Sequence, residues 1–121
     1  MEDLKIKGEK FIPDIDFNSK KGEFNISGRS YHENTNEFFE PVLSWLKQYV
    51  NEYDQDTTLN FKLTYFNTPS SKAFAQILKI LENYKGKIVV NWFYQIEDED
   101  MMEDGQNLRD ITSVEVKLVS Y

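Results

Sequence analysis

Leu63-Thr64-Tyr65-Phe66-Asn67-Thr68-Pro69-Ser70-Ser71-Lys72 is a junction at which one periodicity gives way to another. Before it, from Thr57 to Phe66, Leu59, Phe61, Leu63 and Tyr65 fall on one side and Asn60, Lys62 and Thr64 on the other. This alternation predicts a strand in a sheet with one wetter face. After it, Phe74, Ile77, Leu78 and Leu81 recur at helical spacing, with Ala73, Ile80 and Tyr84 flanking. Gly86 stands where a glycine that ends a helix belongs. Thr68 reads as the N-cap, with Pro69 at the first helical position. A helix start has unpaired N–H groups and the positive end of the dipole, so it favours an added anion. A phosphate on Thr68 would be held there at low cost and would change the local charge by about −1.5 to −2.

On the N-terminal side of the junction, residues 3–28 read as short strands and turns. Leu4 and Ile6 alternate with Lys5 and Lys7 up to Gly8. Phe11 to Phe17 is interrupted by Pro13, which predicts an edge position. Asn18 to Gly22 is turn chemistry, and Phe24 and Ile26 mark a strand closed by Gly28. A helix is expected from about residue 35 to 52, on the stripes Phe38, Val42, Trp45, Tyr49 and Phe39, Leu43, Leu46, Val50. Asn34 and Glu37 have capping-box spacing. Pro41 removes an intrahelical bond, which predicts a kink or a later start.

On the C-terminal side, Lys87 to Gln95 reads as a strand with a central, apolar start. The acidic stretch 97–104 opens a third, weaker helix that Gly105 disfavours. Val114, Val116 and Leu118 alternate as a last strand. The order β-β-β-α-β-α-β-(α)-β predicts an α/β chain with a mixed sheet and helices packed mainly on one face. Phe66 and Phe93 are expected near the exposed face of that sheet.

The 121 residues fit one domain, 1–121, and a 40% hydrophobic content suffices for a core. A net charge of −7 disfavours nucleic acid and anionic membranes as partners. The absence of cysteine excludes disulfides, thiolate zinc sites and a cysteine nucleophile. The N-terminus lacks the apolar core of a signal peptide, and no run approaches the roughly 20 apolar residues of a membrane span, so a cytoplasmic protein is expected. The acidic run lacks the ligand spacing and central glycine of a calcium loop and reads as a solvated face. No metal and no cofactor are expected. His32, the only histidine, reads as a solvated loop residue, and Trp45 and Trp92 as core.

Two segments carry a family resemblance. Gly28-Arg29-Ser30-Tyr31-His32-Glu33-Asn34, leading into Glu37-Phe38-Phe39, resembles the G-x-S-Y-P-E-N-x-x-E-x-F opening of the SiaC family of bacterial regulatory phosphoproteins. Tyr65-Phe66-Asn67-Thr68-Pro69-Ser70-Ser71-Lys72-Ala73 resembles that family's Y-x-N-T-S-S-x-K-A. Val90-Asn91-Trp92-Phe93-Tyr94 is similar to its W-x-Y strand. The chain differs at His32, where the family has proline, and at Pro69, which replaces the first serine of the pair and removes an N–H. The resemblance implies a fold similar to anti-sigma-factor antagonists of the STAS type. It also implies a threonine phosphorylated by a dedicated kinase, a PP2C-type phosphatase, and a dephosphorylated form that engages a partner such as a diguanylate cyclase. By position the acceptor is Thr68.

Around it, Asn67, Ser70, Ser71 and Lys72 are expected to contact partners, together with Tyr31, Glu33 and Asn34. Successive strand-to-helix junctions of a βαβ sheet lie on one edge, which brings the second set beside Thr68. On the residues alone, Asn67 and Ser71 serve equally to satisfy backbone groups, and Lys72 is either a phosphate partner or a solvated side chain. The expected function is a non-enzymatic signalling adaptor. Its rivals are an antagonist that binds an anti-sigma kinase, a small enzyme using carboxylates such as Glu33 or Asp98, and a structural subunit with no switch.

Overall fold

Strands β1 (Leu4–Ile6), β2 (Asp14–Asn18) and β3 (Glu23–Ser30) form an antiparallel meander that opens the computed structural model, which describes residues 1–121. From β3 onward the chain alternates: α1 (Thr35–Glu52), β4 (Thr57–Phe66), α2 (Thr68–Leu81), β5 (Ile88–Tyr94), α3 (Glu99–Asp110) and β6 (Glu115–Ser120). The six strands make one sheet in the order β1-β2-β3-β4-β5-β6, with β3 to β6 parallel. Crossovers of one hand that step in one direction put their helices on one face. That face buries Phe17, Phe24, Ile26, Leu59, Phe61, Val90 and Trp92. The mixed α/β sheet with helices on one side is therefore as expected. No helix is long and apolar enough to cross a membrane.

The opposite face is polar. Cross-strand partners run Lys5, Asp16, Asn25, Asn60, Asn91, Lys117 across all six strands. Within that row Asn60 Nδ2 donates to Asn25 Oδ1 at 3.0 Å, and Asn91 Nδ2 donates to Asn60 Oδ1 at 2.9 Å.

Several local expectations are corrected. Pro13 precedes β2, so its missing N–H costs no ladder bond, and β1 rather than β2 takes the edge. Helix α1 starts at Thr35 and continues through Pro41, with Phe39, Val42, Leu46 and Tyr49 buried. The Asn34–Glu37 capping box does not form. Asn34 sits at φ −108° and ψ 59°, and its side chain makes no cap bond. His32 organises the turn instead: its Nδ1 accepts from the Asn34 N–H at 3.0 Å, and its carbonyl accepts from Thr35 Oγ1 at 2.6 Å.

A further correction concerns β4. Gly28 pairs with Leu63 but Arg29 pairs with Tyr65, so Thr64 is an extra residue in β4. Alternation breaks there. Thr64 and Tyr65 both face solvent, Tyr65 at 53% exposure, and Phe66 turns inward against Phe74 and Trp92. Phe66 thus lies on the helix side and not near the open face. The positive φ of Gly28, 98°, accommodates the bulge without a Cβ penalty.

Helix α3 is a full element despite Gly105. Asp98 caps it, accepting from the Met101 N–H at 3.0 Å, and Glu99 and Asp100 occupy the first turn, where the dipole favours acids. Gly105 is buried over the Trp92 ring, where an added Cβ would overlap the indole and come within 2.7 Å of Leu118 Cδ2. Gly105→Ala gains about 1 kcal/mol of helix propensity. Overpacking costs about 1–3 kcal/mol, so we expect net destabilisation with quenched native Trp92 packing in near-UV dichroism. Greater resistance of the variant to urea than the parent would refute the tight α3–Trp92 contact.

Candidate partner surface around Thr68

The parallel pairing of β3 with β4 brings both strand-to-helix turns together. The Asn67 N–H donates to the Ser30 carbonyl at 3.1 Å, and Ser30 and Ser70 hydroxyls meet at 2.7 Å. Ser70 Oγ is also within hydrogen-bond distance of the Ser30 carbonyl, 2.7 Å, and of Asn67 Oδ1, 2.6 Å. These contacts clip the start of α2 to the end of β3.

Asn67, not Thr68, is the N-cap. Its Oδ1 accepts from the Ser70 N–H at 3.0 Å, and its carbonyl accepts from the Ser71 N–H at 3.1 Å. Thr68 therefore stands at the first helical position and Pro69 at the second. The reason is bond geometry: Asn67 is in an extended conformation, φ −96° and ψ 173°, and its amide oxygen reaches the third helical amide. This also revises the expected anion site. Ser70 N–H is taken and Pro69 has none, so a phosphate on Thr68 meets the dipole but few free donors. It would project outward beside Lys72, one turn along.

The residues expected to surround Thr68 separate into two groups. Thr68 and Lys72 are exposed, and Ser71 is half-buried with its hydroxyl donated to the Thr68 carbonyl at 2.7 Å. No side chain hydrogen-bonds the Thr68 hydroxyl. Ser70 is fully buried, so in this conformation it holds the turn and offers nothing to a partner. Tyr31 is brought to the same end: its ring meets Tyr65 edge-on at 5.3 Å and Phe11 at 5.1 Å. Glu33 and Asn34 are exposed on the adjoining turn, and Glu33 shares a cavity of about 260 Å3 with Phe11, Tyr31 and His32. Asp98, at the start of α3, does not line that cavity.

The model of the SiaC family regulatory phosphoproteins matches residues 6–121. The chain belongs to the SiaC family. An uncharacterized protein of Pseudomonas aeruginosa (strain UCBPP-PA14) is 31% identical over 113 residues, covering 91% of this chain and 90% of the relative. SiaC of Pseudomonas aeruginosa superimposes with a TM-score of 0.89 at 27% identity over the full length of both chains. A chain in the crystal structure of the diguanylate cyclase SiaD in complex with its activator SiaC, from the same organism, gives 0.91 at 28% identity, covering 98% of this chain and all of that one.

For this SiaC-family chain, sequence reasoning missed Phe11, Tyr65 and Ser30 as parts of the Thr68 end. The exposed aromatic in a proline-flanked loop was one available signal. The outward turn of Tyr65 had none, because regular alternation placed it inside.

A groove of about 310 Å3 lies between α2 and α3, lined among others by Phe66, Lys72, Trp92, Asp104 and Ile111. Partial burial, and then the like charges of Asp100, Glu103 and Asp98, hold the Asp104 carboxyl above its usual range. A carboxyl raised by folding contributes stability below its unfolded pKa and loses it as pH rises through the folded value. At neutral pH the charge is a cost. Asp104→Asn should therefore raise the melting temperature at neutral pH, with the gain fading as pH falls through the carboxylate range. A gain independent of pH would rule out the charge as its origin.

The cap assignment has its own test. Asn67→Ala should cost about 1 kcal/mol or more in urea unfolding. Thr68→Ala should stay within about 0.5 kcal/mol. The reverse order would restore Thr68 as the cap.

Proposed function

We propose that this chain is a non-enzymatic cytoplasmic signalling adaptor switched by reversible phosphorylation of Thr68. A partner kinase adds the phosphate and a PP2C-type phosphatase removes it. The unmodified form binds and regulates a downstream signalling protein, a diguanylate cyclase. The observation that carries this reading is the exposed Thr68 hydroxyl, free of hydrogen bonds, at the head of a rigidly clipped helix in a SiaC-family chain. The cyclase assignment is supported by the related SiaC, which is the activator of SiaD in its crystal structure.

The physical switch is local. Exposed Tyr65 and Phe11 and half-buried Tyr31 form an aromatic surface beside the turn, of the kind that anchors a partner. A phosphate adds about −1.5 to −2 charge there, which an apolar contact must desolvate or expel. Asn67, Ser71, Glu33, Asn34 and Lys72 shape the rim of that surface. The clip through Ser30 and Ser70 keeps the acceptor in one place whether modified or not. Carboxylate chemistry finds less support, since Glu33 and Asp98 do not share a cavity.

Phosphosite mass spectrometry on protein from its native cells, beside a Thr68→Ala control, tests the proposal. Phosphate should appear on Thr68 and vanish in the control. Co-purification of a diguanylate cyclase should persist with Thr68→Ala and drop with Thr68→Glu. An unmodified Thr68 in cells that contain the kinase would reduce the residue to a helix-start position without a switch.

A further inference from the structure

Helices α1 and α2 pack together and α3 lies on β5 and β6, but α2 and α3 leave a groove between them. Two cavities, about 310 and 340 Å3, adjoin along it and share Ala75 and Ile111. Together they run from Ser71 to Glu82, roughly 17 Å of helix at about 1.5 Å per residue. The floor is apolar, with Phe66, Phe74 and Trp92, and Ile111 stands at the mouth with 64% exposure. An elongated apolar groove suits a chain segment better than a compact small molecule.

Charge specifies the segment. The α3 wall carries Asp104, with Asp100 one turn before it on the same face and Glu103 alongside. None of these carboxylates is neutralised: the chain's only ion pair is Lys117–Glu115, on β6. The α2 wall carries Lys72 and Lys79, and its Glu82 is occupied by Thr112 Oγ1 at 2.8 Å and the Ser113 N–H at 3.1 Å.

We propose that this groove is a second docking site, which takes an amphipathic partner segment. That segment seats bulky apolar side chains between Ala75 and Ile111 and aligns cations on its α3 side against Asp100, Glu103 and Asp104. The site does not rest on the Thr68 reading. Ser71 and Lys72 line its head, one turn after Thr68, so a phosphate there strengthens the field a cationic segment meets. The aromatic surface and the groove thus respond to phosphate in opposite senses, which would let one modification exchange two partners.

The test titrates isotope-labelled full-length protein with a synthetic helical peptide. Its leucine stripe is flanked by lysines on one side and glutamines on the other. Amide shifts should concentrate at Ala75, Leu108 and Ile111, with the Trp92 indole moving too. The double variant Asp100→Lys, Glu103→Lys should bind about tenfold more weakly while its spectrum stays folded. Ile111→Ser should weaken binding as well, and a peptide with alanine for leucine should not bind. Thr68→Glu should bind the peptide at least as tightly as the parent. Absence of binding, equal binding of the alanine peptide, or shifts confined to the open sheet face would overturn the proposal. A concentration-dependent dimer that buries Ile111 would do so too, by assigning the groove to a second copy. Loss of peptide binding in folded Thr68→Glu would overturn the opposite response of the two surfaces to phosphate.

Discussion

A β-strand sends successive side chains to opposite faces, and β4 escapes that constraint once, at Thr64. The Thr68 end of the molecule depends on this extra residue. Without it, Tyr65 would follow Leu63 into the core and Phe66 would face water. With it, Tyr65 joins Tyr31 and Phe11 outside, and Phe66 packs on Phe74 and Trp92 inside. Asn67 then leaves the sheet beside Ser30 with its amide in position to cap α2. One register shift therefore sets the exposed aromatic surface, the start of the helix and the place of Thr68.

Trp92 performs the corresponding service on the other side of α2. Its ring lies within 5.3 Å of Phe61 and 5.8 Å of Phe66, and its indole N–H donates to the Met101 carbonyl at 2.9 Å. That bond satisfies the only polar atom of a large buried side chain and anchors α3 to β5. Gly105 permits the close approach. The same Trp92 floors the groove that remains between α2 and α3.

The two ends of the parallel sheet have been given different work. At one, Tyr49, Thr57, Gln55 and Tyr84 share a buried hydroxyl network, with Tyr49 OH to Thr57 Oγ1 at 2.7 Å and Tyr84 OH to the Gln55 carbonyl at 2.6 Å. Burial pushes the Tyr84 hydroxyl well above its ordinary range, so it stays a neutral donor. At the other end, polar groups are clipped only where they hold the backbone, and the Thr68 hydroxyl is left to solvent. Rigid support beneath a free hydroxyl suits the proposed switch, since a charge added there would act on a partner and not on the fold.

Much of this was legible in the chain. Periodicity alone determined the strand and helix order, the one-sided packing and the place of α2, because burial imposes periods of two and 3.6 on the sequence. The N-T-P-S-S turn and its partner motif before α1 determined the family and singled out Thr68. Only the tertiary structure decided that Asn67 is the cap, that Ser70 is buried, that His32 replaces the Asn34–Glu37 box, and that Gly105 strengthens α3 packing where propensity counts it a weakness. Two of these turn on a partner distant in sequence, Ser30 for Ser70 and Trp92 for Gly105, as the β4 bulge does on Gly28, whereas the Asn67 cap and the His32 turn are bonds within three residues. Local patterns record which face a residue wants, whereas the contact that overrides the pattern exists only when the strands have come together.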